Sequence, residues 1–169
     1  MSESNSPVEL GKSFDEISLG ESASFRKTIS ESDIYLFAGV SGDFNPLHVD
    51  EQYASQTMFG GRIAHGALPA ALLAPVLGMK LPGPGTLALE STTKFRKPVY
   101  PGDTICCTVT VIDKNKRRNI VSFKVIWTNQ KGETVAKGSA KVIPPEKKHD
   151  NKPQANSVCR LYSPRHRRL

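Results

Sequence analysis

The sequence predicts an α+β fold in which an antiparallel sheet wraps around a central buried helix. One sign is the stretch from Gly66 to Leu77, which is almost wholly apolar (Ala67, Leu68, Ala70, Ala71, Leu72, Leu73, Val76). A helix that is apolar on every side is a buried helix. A second sign is the run of segments rich in Val, Ile and Thr at 86–95, 104–113, 120–128 and 134–143, the composition of strands. The third is their spacing. Pro101-Gly102-Asp103, the charged run from Lys114 to Asn119, and Asn129 to Gly132 are short links, and such links join antiparallel neighbours. A helix followed by a meander is an α+β layer arrangement.

The elements can be justified in order. Residues 1–20 are polar and rich in Ser and Glu, and are expected to be flexible or to drape over the body. Ser24 to Thr28 reads as a short opening strand. Ser30 is placed to cap a helix, with Glu31 and Asp33 in its first turn, where acids suit the dipole. Ile34, Leu36, Phe37 and Val40 recur at helical spacing, and Gly42 ends that helix. Asp43 to His48 follows as a turn stiffened by Pro46, and Asp50 to Ser55 as a second short helix. Gly60-Gly61 is a break. In the apolar helix, Pro69 is tolerable within the opening turn, but Pro75 should kink or shorten it, because proline lacks an N–H and clashes one turn back. Within the fourth predicted strand, Val121, Phe123, Val125 and Trp127 share one face. The layout expected is a flexible segment over 1–20, one domain over 21–143, and a basic, disordered tail over 144–169.

Bulk properties exclude several classes. The 169 residues suffice for one domain and its core. No apolar run approaches the roughly 18 residues of a membrane span. The first fifteen residues carry Glu3, Glu9 and Asp15 and no apolar block, unlike a secretory or transit leader. The net charge of +7 resides mainly in the tail: after residue 143 seven Lys or Arg face Glu146 and Asp150, leaving 16 basic against 14 acidic residues before it. Cys106 and Cys107, as strand neighbours, point to opposite faces and cannot pair readily. No spacing resembles a zinc site, so a reducing compartment is the simplest expectation.

The segment Ser41-Gly42-Asp43-Phe44-Asn45-Pro46-Leu47-His48 sets a carboxylate and an imidazole five residues apart on a constrained turn. Two such groups sharing one water can act as an acid/base pair. Ala64-His65-Gly66-Ala67 opens the apolar helix, where the first N–H groups lack internal partners and lie at the positive end of the dipole. The Gly66 N–H is therefore a candidate oxyanion donor, with no side chain to obstruct an approaching carbonyl.

The stretch from Tyr35 to Asp50 closely resembles the signature of the MaoC-like (R)-specific enoyl-CoA hydratases and 3-hydroxyacyl thioester dehydratases. The likeness continues through Phe59-Gly60, Ile63-Ala64-His65-Gly66, Leu81-Pro82-Gly83-Pro84-Gly85 and Phe95-Arg96-Lys97-Pro98-Val99-Tyr100-Pro101-Gly102-Asp103. It spans about residues 24–143. The resemblance implies a hot-dog fold, subunits paired as dimers or higher oligomers, no metal and no redox cofactor. It implies reversible hydration of a trans-2-enoyl thioester of coenzyme A or acyl-carrier protein to the (R)-3-hydroxyacyl product, in fatty acid metabolism. Carried over by position, Asp43 and His48 hold the water as catalytic residues, Asn45 supports them, and Gly66 N–H receives the thioester oxygen. The departure lies in the helix after Gly66, where Pro69, Ala74 and Pro75 replace the small and leucine-like residues common in relatives.

Plainer readings stand beside these. Asp43 and Asn45 are also turn formers, and Asp50 is a helix cap. His65 either braces the loop or lines the substrate. Lys94 and Arg96 (with Lys97) are candidate substrate-binding cations for coenzyme A phosphates, although charges along a strand are usually solvated. The rival functions are a hot-dog acyl-thioesterase and a non-catalytic acyl-thioester or RNA-binding module working through the basic tail. Nucleic acid is the less expected partner. The terminal Arg167-Arg168-Leu169 departs from the Ser-Lys-Leu peroxisomal address; a cytoplasmic location is expected, with an organellar matrix as the alternative.

Overall fold

The computed structural model describes residues 9–146. The predicted tail from residue 147 and the first eight residues lie outside that range. The strands are β1 (Ser22–Thr28), β2 (Leu87–Phe95), β3 (Thr104–Asn115), β4 (Ile120–Thr128) and β5 (Thr134–Ile143), and the helices are α1 (Glu31–Ser41), α2 (Pro46–Val49), α3 (Glu51–Ala54), α4 (Ala67–Ala70) and α5 (Leu73–Met79). The strands form one sheet in the order β1-β3-β4-β5-β2, every neighbouring pair antiparallel. Strands β3, β4 and β5 form a meander as predicted, but β2 does not sit beside β3: it pairs with β5, so the link from 96 to 103 crosses between opposite sides of the sheet and β1 and β2 are the edges.

The core lies between the concave face of the sheet and α5. Val121, Phe123, Val125 and Trp127 are all fully buried, as their alternation predicted, and they join Ile105, Cys107, Val109 and Val111 of β3 and Val76 and Leu77 of α5. Burial pushes the Cys107 thiol up to about 12, with the neighbouring Cys106 adding to the effect, so Cys107 packs as an inert small hydrophobe. The segment before β1 drapes over the body: Gly11 N–H donates to Pro84 O and Lys12 N–H to Pro82 O, and Ile17 is buried in the core.

The apolar helix is the main correction. It is two pieces, α4 and α5, and it is not buried all round: Ala67, Ala71 and Ala74 are exposed. The cause is local. Pro75 has no N–H to give Ala71, and the junction tightens to bonds three residues apart, Leu72 N–H to Pro69 O and Ala74 N–H to Ala71 O, the 3₁₀ pattern.

The start of α1 formed as predicted. The Ser30 side chain accepts from Asp33 N–H, and the Asp33 carboxylate returns a bond to Ser30 N–H at 2.8 Å, a capping box. Ser30→Ala is expected to lower stability by about 1 kcal/mol, measured by urea denaturation. The Asp33 carboxyl is held below its usual range, chiefly by the Ser30 N–H, against an opposing effect of burial and with further help from the Ser30 hydroxyl and Lys27. A depressed carboxyl stabilises the fold above its ordinary unfolded value and loses that contribution as pH falls through the folded one.

Candidate active site

The site is assembled around five consecutive residues, 62 to 66, which link α3 to the start of α4. Ile63 N–H donates to Leu47 O at 3.1 Å, and Ile63 O accepts from the His48 ring at Nδ1, 2.8 Å away. A carbonyl can only accept, so Nδ1 carries a proton, and in the neutral ring Nε2 keeps the lone pair. His48 is 8% exposed, and its fixed tautomer presents a base.

Asp43 follows Gly42, whose φ of 76° ends α1 in the left-handed region that glycine enters without penalty. The Asp43 carboxylate accepts from Asn45 N–H at 3.1 Å. Asn45 in turn caps α2, its Oδ1 accepting from Leu47 N–H at 3.1 Å. The predicted turn is thus a capped one-turn helix that carries His48 in its last turn. Asn45 acts on the site by shaping that turn. Asp50 is the cap of α3, accepting from Tyr53 N–H, as its plainer reading had it.

His65 is buried, at 1% exposure. Its Nε2–H donates to the Asp43 backbone carbonyl at 2.8 Å, and its ring lies against that of His48 with centroids 3.9 Å apart. Phe37 packs on its other side at 5.0 Å. The remaining nitrogen, Nδ1, is buried without a partner. His65 ties the Asp43 backbone to the His48 ring and is not among the residues lining the cleft, an arrangement that suits the brace of its two expected roles. Donor atoms of Asp43, His48 and His65 lie within 4.8 Å of one another, a spacing at which carboxylate and imidazole can share a water. A divalent ion entering the site would meet the same donors.

Beside this pair is a cleft of about 410 Å³, lined by His48, Gly66, Pro69, Phe95, Arg96 and Lys97 among others. Most of its wall is apolar, with His48 at one side and the cations at another. Arg96 and Lys97, just past the end of β2, line it, whereas Lys94, within the strand, is not among its lining residues. Lys97 also pairs with Glu133.

Helix α4 is a single turn, too short for much of a dipole, so Gly66 offers chiefly an N–H at a helix start. The missing side chain is used as well: a Cβ at Gly66 would stand 2.9 Å from the ring of Phe95. Phe95, 58% exposed, lies against the bare α-carbon and forms one lip of the cleft. Arg62 is the site residue that sequence reasoning missed. It holds four polar contacts to Glu31, Tyr35 and Glu51, partners that lie 11 to 31 residues away and leave no local pattern.

An antiparallel sheet cupped around a helix, with a paired Asp and His at the helix entrance, is the hot-dog class of α+β protein. The family model for the MaoC-like domain matches residues 16–131, and the chain belongs to that family. An (R)-specific enoyl-CoA hydratase of Rhodospirillum rubrum is 49% identical over 78% of this chain and 91% of its own length. A 3-hydroxybutyryl-CoA dehydratase of Methylorubrum extorquens is 39% identical over 79% and 85%. Among solved structures, an unliganded (R)-hydratase of Pseudomonas aeruginosa superposes with a TM-score of 0.77 at 37% identity, covering 86% of this chain and 96% of that one.

Proposed function

We propose that the protein is an enzyme that hydrates trans-2-enoyl thioesters of coenzyme A or acyl-carrier protein to (R)-3-hydroxyacyl thioesters, and that it runs the reverse dehydration. The single observation that carries this is the His48 ring. Its Nδ1–H is fixed on Ile63 O, and the ring lies with a nitrogen within 4.8 Å of an Asp43 carboxylate oxygen beside an apolar cleft. The named activities of the relatives support the same reaction and its stereochemistry.

In this reading one water bridges His48 Nε2 and the Asp43 carboxylate. As its oxygen bonds to the β-carbon, a proton passes to the pair, and the pair returns one proton to the α-carbon. The double bond is consumed, and no redox partner enters the balance. Negative charge grows on the thioester oxygen, where the Gly66 N–H donates. Such a donor lowers a barrier by about 2.7–4 kcal/mol. Arg96 and Lys97, at the mouth of the cleft, meet the carrier's phosphates, and the acyl chain follows the apolar wall. The working unit is a dimer or higher assembly of hot-dog subunits.

Purified protein is expected to remove the conjugated-thioester absorbance of crotonyl-CoA without releasing free thiol. Release of thiol would make it a thioesterase instead. If the absorbance persists and no thiol appears, the hydratase reading fails.

A further inference from the structure

We propose that Arg62 is the positioning residue of this site, a clamp that sets the segments carrying Asp43 and His48 at their working separation; the inference rests on the hydratase reading above. Its guanidinium is largely withdrawn from solvent, with side-chain exposure of 13%. One nitrogen reaches Glu31 Oε1 at 2.9 Å, another Tyr35 Oη at 2.9 Å, and Nε reaches Glu51 Oε2 at 3.0 Å. The Arg62 backbone N–H adds a weaker bond to the same Glu51 oxygen at 3.3 Å, and the guanidinium carbon lies 5.6 Å from the centre of the Tyr35 ring.

The placement of these partners gives the contacts their meaning. Glu31 and Tyr35 belong to α1, which runs through Gly42 directly into Asp43. Glu51 opens α3, three residues after His48. Arg62 immediately precedes Ile63, whose N–H and C=O hold Leu47 and His48. One planar cation therefore spans the helix ahead of the carboxylate, the helix behind the imidazole, and the loop segment that fixes the imidazole tautomer. Only a guanidinium has donors in several fixed directions; an ammonium offers the charge without the fork. Arg62 touches neither the cleft nor the reacting atoms, since it is not among the cleft-lining residues. Its influence passes through His48 and Asp43.

Activity and ring chemistry, each measured on the full chain, separate the possibilities. Arg62→Met is expected to lower kcat for crotonyl-CoA by about 10²-fold, the loss that a misplacement of roughly 1 Å brings, while KM stays near that of the unaltered protein. Arg62→Lys should recover only part of the rate, and Tyr35→Phe should lose less than Arg62→Met. Lys141→Met, which removes the surface pair with Glu90, should change neither constant. Imidazole ¹⁵N spectra supply a readout without turnover: the unaltered protein should show His48 protonated at Nδ1, and the Arg62 variants a mixture of tautomers. Unchanged kcat together with an unchanged His48 tautomer in Arg62→Met overturns the clamp. So does an equal loss in Lys141→Met. Should Arg62→Met fail to fold, Arg62→Lys and Tyr35→Phe decide by the same two measurements. Should the unaltered protein not hydrate crotonyl-CoA, the hydratase reading fails by itself, and the ¹⁵N comparison still decides whether Arg62 sets His48.

Discussion

Replacing His48 with alanine is expected to cut crotonyl-CoA hydration by about 10²- to 10⁴-fold, the usual loss when a positioned proton-transfer group is removed. Asp43→Ala should cost a similar factor, and the double variant little more than either alone, because groups that act as a unit are not additive. Stopped-flow or steady-state absorbance reads the rate, and circular dichroism checks folding. The two variants should differ in their structural consequences. Asp43 is exposed, and among the described residues its carboxylate holds the Asn45 N–H alone, whereas His48 is buried and anchors Ile63. The alanine at 48 should therefore also lower the melting temperature. A folded His48→Ala protein with full activity would remove the imidazole from the mechanism altogether.

Gly138→Ala is expected to destabilise the fold by about 3 kcal/mol, the upper range for forcing atoms into a filled site. A Cβ there would stand 1.9 Å from the carbonyl oxygen of Thr92, which is backbone and cannot swing aside. Gly138 lies in β5 opposite Thr93 of β2 on one side and Val125 of β4 on the other, so strand β2 would have to move. Since β2 ends in Phe95 and leads into Arg96 and Lys97 at the cleft, the variant should bind thioester more weakly even where it stays folded. Chemical denaturation and KM are the two measurements. A melting temperature equal to that of the parent would mean that β2 is not pressed against β5 as described.

Much of this was legible in the sequence, for identifiable reasons. The β4 alternation, the Ser30 cap and the Gly42 stop are written in local periodicity and capping chemistry, and each element appeared within a few residues of its expected bounds. The ordered motif from Tyr35 to Asp50 indicated the Asp43 and His48 pair before any geometry was known. What was not legible depends on contacts between distant segments. Composition shows a long apolar stretch at 66–77 but not the switch to three-residue bonds that splits it. The role of His65 turns on a carbonyl 22 residues earlier, and Gly138 is required by a carbonyl 46 residues earlier in the chain. Lys94 and Arg96 look alike as charges near one strand end, and only the point at which β2 stops, at Phe95, separates them.

The strip from Arg62 to Gly66 allots every residue a different anchor: α1 and α3 for Arg62, α2 for Ile63, Val99 O for Ala64, Asp43 O for His65, and the Phe95 ring for Gly66. Nothing in it is slack. Lengthening or shortening that strip by a single amino acid would throw all later anchors out of step at once.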